Sequence, residues 1–149
     1  MFKAEYKTKY AYSEVKNEFL SYEGVTDKIK RDCESFYLNG KPIAKLDVID
    51  GNLYAYFALD PTLYKEDEYH HENASKIKEY ISVPLKLKVD SIESLRHAKM
   101  FIRIIRKREN AKSVSNFIRT DYTKVYTAKE SSFKVFKKVF VKNKKEELE

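Results

Sequence analysis

Two dipeptides, Asn39-Gly40 and Asp50-Gly51, constrain this chain more than any other feature. Both suit a tight hairpin turn. Glycine takes a positive φ without steric cost, and Asn or Asp tolerates it. Between them, Ala44, Leu46 and Val48 alternate with Lys45 and Asp47. After the second, Leu53, Ala55, Phe57 and Leu59 alternate with Tyr54, Tyr56 and Ala58. A period of two sends one set to each face of a sheet. Pro61 stops the last strand because it has no N–H for the ladder. Residues 34–61 therefore read as three consecutive antiparallel strands, the first around ESFYL.

The flanks are helical or extended by the same reasoning. Ser13 can cap a helix over 13–23, with Tyr12, Val15, Phe19 and Tyr22 as its apolar stripe and Gly24 at its C-terminal end. Residues 25–31 are ambiguous and can lead straight into the first strand. Residues 62–82 are polar and acid-rich at first, which predicts an exposed excursion with a short helix over 74–80. Leu85, Leu87 and Val89 alternate with Lys86, Lys88 and Asp90, giving a fourth strand. Asp90, with Glu93 three residues on, predicts the cap of a helix over 91–108, whose stripe is Leu95, Ala98, Phe101, Ile102 and Ile105. The β-branched and aromatic run from Val114 to Tyr126 suits a further strand. Phe133, Phe136 and Phe140 have helical spacing, although the same stretch alternates well enough for a strand, and the charged end after them should fray.

The predicted fold is α+β: a small four- to five-stranded, mostly antiparallel sheet with helices packed on one face. Residues 1–110 form one domain, and 111–149 are a C-terminal extension packed in part upon it. The predicted core holds Val15, Phe19, Leu46, Val48, Leu53, Phe57, Leu87, Leu95 and Ile102.

Composition narrows the functional classes. The chain has 149 residues and a formal charge of +7, which favours nucleic acid or an acidic protein surface as partner. Cys33 is the single cysteine, so no disulfide forms within the chain and no multi-cysteine metal site exists, which fits a reducing cytoplasm. No window is apolar enough to span a bilayer, and the N-terminus lacks the apolar core of a signal peptide.

VKNEFLSYEGV (15–25), ESF (34–36), AKL (44–46), LYAYFALDPTLY (53–64), VPLKLKVDS (83–91) and LRHAKMFI (95–102) occur in this order. Together they resemble an uncharacterised domain of low-GC Gram-positive bacteria that often occurs in tandem copies. The resemblance covers residues 13–106, about two thirds of the chain. It implies an accessory module and carries no biochemical role. Around Arg31 to Cys33, relatives often have an aromatic that this chain lacks.

No catalytic constellation stands out. His70 and His71 lie among Glu66, Asp67, Glu68 and Glu72, but adjacent residues on an extended loop point apart and no HExxH spacing is present. His97 should face solvent. Cys33 lacks a placed base and reads as a structural thiol. The three glycines serve turns or a helix end, so no phosphate-cradling loop is expected. Neither an enzyme nor a cofactor or metal site is predicted. Two surfaces remain as candidate nucleic-acid sites. One is the stripe Arg96, Lys99, Arg103 and Lys107 on the second helix, with Arg106 beside it; the plain alternative is a solvated face. The other is the second sheet face, where Lys45, Tyr54, Tyr56, Lys86 and Lys88, with Tyr37, combine rings for base stacking with cations for phosphate. Its plain alternative is that the C-terminal segment covers it. The predicted function is a small basic module that binds nucleic acid without strong sequence preference. The alternative is a non-catalytic protein-interaction module.

Overall fold

The computed structural model of the chain describes residues 2–31 and 33–125. The long elements are α1 (Phe2–Leu20), β1 (Val25–Ile29), β2 (Glu34–Leu38), β3 (Lys41–Ile49), β4 (Asn52–Phe57), β5 (Glu72–Asn73), β6 (Leu85–Val89) and α2 (Ile92–Arg108). The strands form one antiparallel sheet in the order β1-β2-β3-β4-β6-β5. The class is α+β as predicted, but six strands replace the four or five expected. The two additions are both edges: β1, from the segment the sequence left ambiguous, and the two-residue β5.

The hairpin turns form where the dipeptides place them. Asn39 and Gly40 take φ of 51° and 82°, and Asp50 and Gly51 take 52° and 78°. These are the paired positive values that match the twist of adjoining strands. The register Ala44↔Phe57 and Leu46↔Ala55 puts Leu46 and Phe57 on one face. That face meets both helices in a core of Val15, Phe19, Phe36, Leu46, Leu53, Phe57, Leu87, Phe101 and Ile102. Val48 and Leu95, predicted as core, are only half-buried at its rim.

Other boundaries moved. The first helix begins at Phe2, not Ser13, and ends at Leu20. Ser13 is a buried mid-helix residue rather than a cap. Gly24 lies beyond the helix, in the turn into β1; its carbonyl accepts the Asn39 N–H at 3.0 Å. α2 is capped by Ser91, not Asp90, and the reciprocal partner is Ser94, not Glu93. Serine at both positions closes the box because each hydroxyl oxygen accepts the other residue's backbone N–H. The run from Val114 forms no strand through Val125; the isolated bridge Tyr22↔Ser113 lies just before it. The segment instead crosses α1, bonded to Ser13 and Asn17. Phe133, Phe136 and Phe140 lie outside the described residues. No described helix is long and apolar enough to cross a membrane.

Candidate functional site

The second sheet face is divided into a covered and an open half. Tyr54 stands opposite Lys88 and Tyr56 opposite Lys86, while Lys45 and Asp47 flank them on β3. The pleat thus gathers the predicted residues on one surface. The excursion between β4 and β6 then folds back over part of it. Tyr80 stacks on Tyr56 with ring centroids 3.8 Å apart and planes 1° from parallel, and Ala74 and Val83 close a small second core around them. Tyr56 is therefore only 1% exposed and offers no face to a base, which corrects the expected pair of stacking rings. Burial, and then the Tyr80 hydroxyl, push its phenol up. Lys45 belongs to the same covered half, donating to the Glu79 carbonyl at 2.6 Å. Among the described residues the cover comes from residues 74–83, while the phenylalanines of the C-terminal segment expected there lie outside the described residues.

Among the described residues, Tyr54, Lys86 and Lys88 form the open half, with Tyr54 half-buried against the rim of the second core. The Lys86 ammonium lies 4.8 Å from the centroid of the half-buried Tyr54 ring. Lys86 and Lys88 meet Glu72 and Asp90 only at 3.8 Å. A groove of about 200 Å³ runs beside them, lined by Glu66, His70, His71, Glu72, Lys86 and Lys88. The His71 ring is engaged by the loop itself: its two nitrogens face the carbonyl oxygens of Tyr69 and Pro61, the latter at 2.8 Å. His97, expected in solvent, is half-buried with its ring centroid 5.0 Å from that of Tyr69. Tyr37 lies two strands away, with Lys30 at 5.7 Å from its ring centroid, and the hydrogen bond from Lys30 lowers its phenol.

The basic stripe on α2 is interrupted. Lys99 binds Glu14 at 2.8 Å and Arg103 binds Glu18 at 3.3 Å, because this side of α2 faces α1 across the helix seam. Arg96 and Lys107 are exposed. Arg106 is half-buried over Tyr22, its guanidinium 5.7 Å from the ring centroid. A continuous track for phosphate is absent among the described residues, since the two middle cations have carboxylate partners.

Sequence reasoning missed a buried charged cluster. Lys16, 1% exposed, lies 2.8 Å from Glu34 and 3.2 Å from Asp27. The Tyr12 hydroxyl donates to Glu34 and accepts from Lys16 at 3.2 Å. Tyr122 places its ring 4.5 Å from the same ammonium. Tyr12 and Lys16 of α1 thus meet Asp27 of β1 and Glu34 of β2. Burial raises Glu34 to about 7, against the opposing pull of Lys16. Burial first, and the Glu34 carboxylate second, hold Tyr12 well above the usual phenol range. A signal existed: Lys16 falls one turn after Tyr12 on the apolar stripe, and Glu34 alternates with Phe36 and Leu38. A charge in an inward position needs a partner.

The cluster gives stability a specific pH dependence. Its ordinary carboxyl value of 4.5 becomes about 7 on folding, so the folded chain holds a proton that the unfolded chain releases. That contribution is complete below the lower value and is lost as pH rises through the upper one. At 1.36 kcal/mol per unit, Glu34 should make the fold about 3 kcal/mol less stable at about pH 8 than at about pH 4.5. Urea unfolding at both values checks this, with Glu34→Gln expected to remove that share of the dependence.

No family model, no curated protein and no solved structure matches the chain. The resemblance described above rests on its residues alone.

Proposed function

We propose that this chain is a non-catalytic, cytoplasmic accessory module that binds single-stranded nucleic acid on the open half of the second sheet face. One observation carries the reading: Tyr54 lies in register with Lys88 and beneath Lys86, so one ring and two cations share a small surface. A base stacking on Tyr54 would displace the Lys86 ammonium from the ring, leaving Lys86 and Lys88 to meet the flanking phosphates. Their present ion pairs are long and at the surface, each worth at most about 1 kcal/mol, and they yield readily to phosphate. A flat ring reads no base identity, which suits binding without strong sequence preference. Compared with two rings, a single ring implies a shorter and weaker contact.

The test separates the two tyrosines. Tyr54→Ala should weaken binding of a labelled single-stranded oligonucleotide by about 1–3 kcal/mol, read by anisotropy at low salt. Lys88→Ala should flatten the salt dependence by about one counterion. Tyr54→Ala with unchanged affinity would remove the site.

A second reading, a protein-interaction module, is favoured by a different place. Tyr10, Ala11, Val89, Ile92 and Leu95 line a groove of about 450 Å³ between α1 and the start of α2, and Ile92 is 80% exposed. Exposed aliphatic and aromatic side chains beside a groove suit an apolar anchor from a partner. Pull-down from lysate with and without nuclease distinguishes the readings, because partners held through nucleic acid disappear after digestion.

A further inference from the structure

The outer side of α1 is occupied by the segment after α2, and the contacts are of an unusual kind. They are directional and polar, and they read a short extended peptide. The Asn17 side chain, 1% exposed, donates to the Thr120 carbonyl at 2.7 Å and accepts the Thr120 N–H at 2.9 Å. Ser13, 6% exposed, accepts the Tyr122 N–H at 3.1 Å. Glu14 pairs with Arg119, and Tyr122 closes over Lys16 and meets the Tyr12 ring edge-on at 6.2 Å. One face of one helix thus holds an arginine, a main-chain unit and an aromatic in sequence.

The groups on α1 are matched to such an occupant. Asn17 keeps its bond to the Ser13 carbonyl within the helix, and its amide meets both the N–H and the carbonyl of Thr120, which only an extended main chain presents together. Another extended peptide restores these bonds, whereas bulk apolar surface does not. The connection behind the segment is suited to exchange. It is tied through Lys112 and Val114 to the main chain of Glu23 and Ser21, and beyond that anchor, over 115–118, it has no helix or strand, turns at Asn116 with φ of 56° and leaves Ile118 85% exposed. None of the contacts depends on which copy of the chain supplies the segment.

We propose that the outer face of α1 is a peptide-docking site, filled here by the chain's own Arg119–Tyr122, and that the same segment of a second copy can take its place. The interaction surface is Ser13, Glu14, Lys16 and Asn17, and its ligand is an extended peptide with arginine followed by an aromatic three residues on. Exchange between copies would link two modules while leaving the sheet face free.

Two full-length variants test this together. Arg119→Glu with Tyr122→Ala spoils the segment and keeps the face. Asn17→Ala spoils the face by removing both bonds to Thr120 and keeps the segment and the Glu14–Lys99 pair. Light scattering of the mixture should give a mass above that of either variant alone, as the intact segment of one docks on the intact face of the other. A mixture that stays at the mass of its separate, folded components overturns the proposal. If either variant loses its cooperative unfolding transition, the wild-type chain and a labelled peptide of residues 116–123 decide. Saturable binding that falls by about five-fold or more when the peptide carries Arg119→Glu supports the site. Binding indifferent to that change, or no saturation, overturns it.

Discussion

Lys16→Met is expected to destabilise the fold by about 3–5 kcal/mol, the range for removing one partner of a buried ion pair. The lysine is the cation between Glu34 and Asp27, at 2.8 and 3.2 Å, and it is 1% exposed. Methionine fills a similar volume, so the loss reports charge and hydrogen bonding rather than a cavity. Glu34 can escape part of the penalty by taking up a proton, so the loss should be larger at about pH 8 than at about pH 5. Adding Glu34→Gln to Lys16→Met should recover part of the stability, since it removes one of the uncompensated carboxylates. Urea unfolding of the two variants at both pH values measures the effect. A single-variant loss below about 1 kcal/mol would mean that Lys16 is solvated and the cluster open, because exposed pairs contribute on that scale.

Phe57→Ala should cost a comparable amount, about 3–5 kcal/mol, for a different reason. Phe57 ends β4, the strand between β3 and β6, and is fully buried. Its ring centroid lies 6.2 Å from that of Phe19 on α1 and 5.5 Å from that of Phe101 on α2. Both helices therefore close on this residue, and alanine would leave a void that neither can fill without losing its own sheet contacts. Thermal or urea unfolding should show a lower midpoint with little pH dependence of the change, in contrast to Lys16→Met. A near-zero effect would contradict the packing of both helices on one sheet face.

The parts of the fold that local chemistry determines were legible in the sequence. The two Asx-Gly turns set the hairpins, and alternation then fixed which side of β3 and β4 meets the helices. What escaped were features whose logic is tertiary. The start of α1 carries Lys7, Thr8, Lys9 and Tyr10, which mark no apolar stripe. In β1, VTDKI looks too polar for a strand because Asp27 occupies an inward position, where Lys16 from another element meets it. Inward charge of this kind also protects an edge strand from further pairing. The candidate site was legible as a face but not as a surface. Period two placed Tyr54, Tyr56, Lys86 and Lys88 together, yet nothing local couples Tyr56 to Tyr80, whose stacking closes half of it. The α2 stripe failed similarly, since its spacing was right but the carboxylates of Glu14 and Glu18 lie on another helix.

The central claim, a small electrostatic and stacking site for single strands, is tested most directly by titrating the wild-type chain with a labelled single-stranded oligonucleotide at two salt concentrations. With about two phosphates neutralised by Lys86 and Lys88, the logarithm of affinity should fall with the logarithm of salt with a slope of about −1.4, so binding at about 50 mM salt weakens by about sevenfold at about 200 mM. Tyr54→Ala should lower affinity at both concentrations and leave that slope unchanged, because the ring carries no charge. Absence of binding at the lower salt, where an electrostatic site is strongest, would contradict the account.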